Sequence, residues 1–143
     1  MARRERFLLT YVKGIVGRGV GMANILVVED EEQIRVLAGS LCEEMGHTAA
    51  SASNMDEALA LLATDEVFDL IFTDLSLHGH DQAGLALATE AVRIRDGIPV
   101  LYTTGQAVTD GMKAMFVKGS SFLPKPYTFE QLNAAVTAAL KSK

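Results

Sequence analysis

Short all-apolar runs alternate along this chain with stretches whose apolar residues recur every three or four positions. Ile25-Leu26-Val27-Val28 is unbroken and ends abruptly in Glu29-Asp30-Glu31-Glu32, as a strand buried on both faces would. Behind it Ile34, Leu37, Ala38, Leu41, Cys42 and Met45 fall at helical spacing, and Gly46 stops the pattern, predicting a first helix. Thr48 to Ala52 predicts a weaker second strand. Asn54 with Glu57 three residues on has the form of a capping box, and Met55, Ala58, Leu59, Leu62 and Ala63 lay down a second stripe. Leu70-Ile71-Phe72-Thr73 predicts a third strand ending at Asp74. A loop with His78, Gly79, His80 and Asp81 then leads to a helix starting near Ala83 or Gly84. Pro99 opens a fourth strand, Val100-Leu101-Tyr102-Thr103, and a shorter helix around Met112, Met115 and Phe116 closes at Gly119. Phe122-Leu123 is a short fifth strand. Thr128 with Gln131 caps a last helix carrying Leu132, Ala135, Val136, Ala139 and Leu140. Strands alternating one for one with helices predict an α/β fold with a parallel sheet covered on both faces. In such sheets ligands sit beyond the carboxyl ends of the strands, so chemistry belongs there.

Composition narrows the picture. The chain has 143 residues, 49% of them apolar and 22% charged, which suits one domain with one core and excludes a disordered chain. Its one cysteine, Cys42, can form neither an internal disulfide nor a thiolate zinc site; on the stripe of the first helix it reads as inert core, and the protein as cytoplasmic. No apolar run approaches the roughly 18 residues of a membrane span. Charge is unevenly placed. Residues 1–23 carry five basic side chains against one acidic (+4), and residues 24–143 carry eight against seventeen (−9). The acidic body disfavours nucleic-acid binding through the main domain. The division predicts a basic N-terminal extension over 1–23 and a main domain over 24–143. In the extension Phe7, Leu8, Tyr11, Val12, Ile15 and Val16 share a helical stripe, yet Gly14, Gly17, Gly19 and Gly21 oppose a helix; a basic amphipathic helix and a disordered or misassigned leader both fit.

Useful polar groups stand at the ends of four strands: Glu29 and Asp30, Asp74, Thr104, and Lys125. If the first and third strands are neighbours, three carboxylates converge and repel one another unless a cation neutralises them. Oxygen-only ligands suit a hard ion such as Mg²⁺. Lys125 and Thr104 exceed what a metal needs; with the metal they would neutralise a phosphoryl group transferring onto a carboxylate. Asp74, alone at the end of the most apolar central strand, is the best-placed nucleophile. His78-Gly79-His80 lacks a third soft ligand and reads as solvent-exposed loop, while Met112, Met115 and Phe116 read as core or a docking face.

Four fragments carry a resemblance: residues 25–31 (Ile25-Leu26-Val27-Val28-Glu29-Asp30-Glu31), 69–75 (Asp69-Leu70-Ile71-Phe72-Thr73-Asp74-Leu75), 99–105 (Pro99-Val100-Leu101-Tyr102-Thr103-Thr104-Gly105) and 122–127 (Phe122-Leu123-Pro124-Lys125-Pro126-Tyr127). In this order and spacing the chain resembles the receiver domain of two-component response regulators from residue 24 to about 141. The resemblance implies a flavodoxin-like, doubly wound five-stranded parallel sheet of order 2-1-3-4-5 with five helices. It implies that Asp74 is a phosphoacceptor served by a histidine kinase or histidine phosphotransfer protein, and that Mg²⁺ is held by Asp30, Asp74, Glu29 through water, and the backbone carbonyl of Ser76. It makes Thr104 and Lys125 the phosphoryl-binding pair, Phe122 the aromatic switch residue, and the Lys125-Pro126 peptide cis. The switching face would be the fourth helix, fifth strand and fifth helix, read by a downstream partner the sequence does not name. The only catalysis implied is of phosphotransfer to and hydrolysis from its own Asp74. Because the chain stops where its fifth helix stops, a stand-alone receiver is expected.

Departures from the pattern cluster after Asp74. The family often has Met-Pro three and four residues on, where this chain has Leu77-His78, and the expected glycine falls at Gly84, so the loop reads as two residues longer. The competing readings are an aspartyl-nucleophile phosphohydrolase, which would want an acid where Ser76 stands; a nucleotide- or flavin-binding module, whose phosphate four successive acids would repel; and a degenerate receiver serving as a scaffold, against which the complete site argues.

Overall fold

The computed structural model describes residues 23–141. Five strands, β1 (Asn24–Val28), β2 (Thr48–Ala52), β3 (Leu70–Asp74), β4 (Val100–Thr104) and β5 (Ser121–Pro124), alternate with five helices, α1 (Glu32–Glu44), α2 (Met55–Leu62), α3 (Ala83–Ile94), α4 (Asp110–Ala114) and α5 (Phe129–Lys141). All strand pairs are parallel and the sheet order is β2-β1-β3-β4-β5, the doubly wound arrangement.

Period-two alternation along the central strands feeds two cores. Ile25, Val27, Leu70, Phe72 and Leu101 pack with Ala38 and Cys42 of α1 and Leu132, Val136 and Ala139 of α5. Leu26, Val28, Ile71, Val100 and Tyr102 pack with Ala58 and Leu62 of α2 and Leu85, Ala88 and Ala91 of α3. Each large side chain so enclosed contributes roughly 1.5–3 kcal/mol relative to exposure, which is why apolar residues fill the middle of these three strands and Asn24, Thr73 and Thr103 stand toward their ends. The register sets Val28 beside Thr73 and Asp74 beside Thr103, so the carboxyl ends of β1, β3 and β4 lie level. Strand order reverses between β1 and β3. The crevice at their ends is where such a sheet leaves room for a ligand.

Two elements differ from expectation. The six-residue stripe of α1 is only partly core: Ala38 and Cys42 are buried, whereas Leu37 is 57% exposed. Small residues form the contact line here, with Gly39 so close that an added Cβ would touch the Ala49 side chain at 3.8 Å, and larger residues are left on the flanks. The fourth helix is a single short one, capped by Thr109 and without a buried residue; Phe116 lies beyond it. β2 and β5 are edge strands, which explains the weak alternation of Thr48–Ala52.

The predicted caps form. Thr128 and Gln131 exchange side-chain-to-amide bonds of 3.1 and 2.9 Å, and Asn54 Oδ1 accepts the Glu57 amide at 2.8 Å while Glu57 reaches back to the Ser53 amide at 2.7 Å. The extension called over residues 1–23 lies, apart from Ala23, outside the described residues. Among the described residues no helix is long and apolar enough to cross a membrane.

Candidate functional site

Three carboxylates and one ammonium meet in the crevice. Asp74 is the last residue of β3 and 7% exposed; Glu29, directly after β1, is 4% exposed. Lys125, directly after β5, extends its Nζ to Asp74 Oδ2 at 2.6 Å and to Glu29 Oε1 at 2.9 Å. The Lys125–Pro126 peptide bond is cis. Asp30 completes the group: one oxygen each from Glu29, Asp30 and Asp74 lie within 4.8 Å of one another.

The charges are unequally balanced. Burial pushes the Glu29 carboxyl up to about 7, overriding the opposing pull of Lys125. Burial also acts on Asp30, but the His78 amide and Glu29 outweigh it and hold its carboxyl below the ordinary carboxylate range. For Lys125 burial favours the neutral amine, and the bonds to Asp74 and Glu29 more than reverse this, so its pKa is raised. One ammonium cannot neutralise three clustered carboxylates. An oxygen-only donor set with surplus negative charge fits a hard divalent cation such as Mg²⁺, and would not select a soft metal.

Backbone amides shape the rest. Ser76 N–H donates to Asp74 Oδ1 at 3.0 Å, so both oxygens of that carboxylate are oriented. Glu29 Oε2 accepts the Glu31 amide at 3.1 Å, and Arg35 Nη1 donates to the Glu29 carbonyl at 2.9 Å. Arg35 was no sequence candidate; its signal is its place in the first turn of α1, one turn past the acids. Gly84 lets the start of α3 lie against the end of β3: its amide donates to Leu75 O at 2.8 Å, and a Cβ there would stand 2.2 Å from the Asp74 carbonyl oxygen.

The two adjacent threonines of β4 are occupied differently. Thr103 Oγ1 donates to the Leu123 carbonyl within the sheet at 2.6 Å, while Thr104 Oγ1 accepts the Gln106 amide at 3.2 Å, beside the crevice but bonded to none of its four charged groups. Phe122 lies apart from them, half-buried, its ring 6.3 Å from Phe116, which in turn sits 4.4 Å from Tyr102. The geometry thus joins Glu29, Asp30, Asp74, Lys125 and the Ser76 amide, with Thr104 adjacent and Phe122 at a distance.

The family model for the response regulator receiver domain matches residues 25–137. The nitrogen assimilation regulatory protein NtrX of Azorhizobium caulinodans is 31% identical over 120 residues, covering 83% of this chain and 26% of that protein. The transcriptional regulatory protein TcrA of Mycobacterium tuberculosis is 32% identical over 130 residues, covering 85% of this chain and 50% of that protein. The chain therefore spans half or less of the curated relatives it matches. A solved response regulator receiver protein from Sinorhizobium medicae superposes with a TM-score of 0.76 at 26% identity, over 84% of this chain and 95% of that one.

Proposed function

The chain belongs to the response regulator receiver family, and from that premise we propose that Asp74 accepts a phosphoryl group from a phosphohistidine of a histidine kinase or histidine phosphotransfer protein. The observation that carries this reading is the pairing of a buried, doubly oriented Asp74 with Lys125 Nζ at 2.6 Å, next to two further acids. A nucleophilic Asp74 oxygen forms the O–P bond as the N–P bond of the donor breaks, and the departing imidazole retains the electron pair and takes up a proton. Asp30, Asp74, Glu29 through water and the Ser76 carbonyl are the groups that would hold Mg²⁺, which supplies charge neutralisation for the transferring group. Lys125 is already on the acceptor carboxylate and can follow the charge to the phosphoryl oxygens. Thr104, unlike Thr103, has its hydroxyl hydrogen available to donate to them, since its oxygen accepts the Gln106 amide.

In this reading the module signals and turns over no external substrate. Recruitment of Thr104 and Lys125 biases the face of α4, β5 and α5 between two arrangements, and a downstream partner selects one. The main domain runs over 24–143, and its acidic body makes that partner a protein surface. With Mg²⁺ and a phosphoryl mimic, amide exchange is expected to change across residues 104–127, and Phe122→Ala to weaken that change while sparing modification of Asp74. Change confined to α1 and α2 would contradict the switch.

A further inference from the structure

The lengthened loop after Asp74 is folded, and its fold touches the candidate metal site. Leu77 and His80 exchange backbone hydrogen bonds, His80 N to Leu77 O at 3.0 Å and Leu77 N to His80 O at 3.2 Å. Between them His78 (φ 52°) and Gly79 (φ 78°) both adopt left-handed geometry, as a two-residue type I′ hairpin turn requires. The first central N–H of such a turn has no partner within it. Here it donates to Asp30 Oδ2 at 2.9 Å. The His78 ring is anchored separately: Nε2 lies 2.8 Å from the carbonyl of Ser53, a group that only accepts, so the ring donates. Leu77, 2% exposed, roots the turn in the core.

We propose that His78 is a positioning residue for Asp30: its ring, tied to the Ser53 carbonyl, holds the hairpin tip so that the His78 amide keeps the Asp30 carboxylate in the orientation a bound Mg²⁺ needs. This rests on the reading of Asp30 as a metal ligand. Asp30 stands on a half-exposed turn where Glu29 also holds its carboxyl; losing the His78 bond frees one oxygen of that carboxylate, which then has to be ordered when the cation binds. Glycine would adopt φ 52° without strain, and proline, which the resemblance leads one to expect here, has no N–H to give.

The test titrates the 143-residue chain with Mg²⁺ alone, following amide chemical shifts, and measures exchange of the residue 78 amide. His78→Gly is expected to bind Mg²⁺ about tenfold more weakly, the usual scale for loss of a group that orients a metal ligand. Its residue 78 amide should exchange faster, and its melting temperature should change little, because relief at φ 52° offsets the lost bond to Ser53. His78→Asn tolerates left-handed geometry but is too short to reach Ser53, and should behave as the glycine variant does. His78→Gln carries a donor near the place of Nε2 and should recover most of the affinity. A purely structural role would lower the melting temperature and leave Mg²⁺ affinity alone. If wild type binds Mg²⁺ and both His78→Gly and His78→Asn match it, the positioning role is overturned and the function proposed for the site stands. If wild type takes no Mg²⁺, both fall.

Discussion

Replacing Gly84 with alanine perturbs the fold and the site through one methyl group. The new Cβ would stand 2.2 Å from the Asp74 carbonyl oxygen and 2.8 Å from Leu75 Cα, and both are backbone atoms that cannot swing aside. Restoring an ordinary contact requires α3 and the end of β3 to separate by about 1 Å. Overpacking of this kind costs about 1–3 kcal/mol. Stretching the 2.8 Å bond from the Gly84 amide to Leu75 O removes about 1 kcal/mol more, and the better helix propensity of alanine returns up to about 1 kcal/mol. The net loss is about 2 kcal/mol, a fall in melting temperature of roughly 6–10 °C for a domain of this size. Because the displaced carbonyl belongs to Asp74 itself, phosphoryl uptake from a small phosphodonor should also slow by about tenfold. Urea unfolding followed by circular dichroism, beside the rate of mass gain, measures both effects. A variant within about 0.5 kcal/mol of wild type and equally fast would refute the close approach.

Three further outcomes follow from the same geometry. Glu29, pushed up to about 7, holds a proton in mildly acid solution that must leave before the site carries its full charge. Mg²⁺ affinity, read by an NMR titration, should therefore rise about tenfold from pH 6 to pH 8 and level off above, and a flat profile would show Glu29 ionised throughout. Cys42 is fully buried and its thiol is raised to about 12, so iodoacetamide at pH 8 should label it only after denaturation; labelling of the folded protein would contradict its burial. Asn54→Ala removes the 2.8 Å cap on the Glu57 amide and should cost about 1 kcal/mol in urea unfolding, with no change meaning that α2 does not depend on it.

The sheet was largely legible because β1, β3 and β4 are enclosed on both faces and so read as continuous apolar runs, each ending where polar chemistry begins. Parallel winding then places the ends of these strands together, which is why Glu29, Asp30, Asp74 and Lys125 read in the sequence as one group. Periodicity could not separate the centre of the α1 contact from its flanks: Leu37 has the right spacing, but the helix approaches the sheet through Ala38, Cys42 and Gly39. Nor could it bound α4, a helix too short to display a stripe. The loop after Asp74 reads in the sequence only as longer than the family pattern, with no sign of its fold. The His78-Gly79 pair, a residue that can take positive φ followed by glycine between two chain segments, is the local signal for the hairpin. The bonds from His78 to Asp30 and Ser53 span 48 and 25 positions and have no local signature at all.

The central claim is that Asp74 is the residue that takes the phosphoryl group. Incubation of the 143-residue chain with a small phosphodonor and Mg²⁺, followed by intact mass and peptide mapping, tests it directly. The expected result is a gain of one phosphoryl group located on Asp74, absent without Mg²⁺ and absent in Asp74→Asn. Phosphate found on Glu29 or Asp30, uptake that persists in Asp74→Asn, or no uptake by wild type would contradict it.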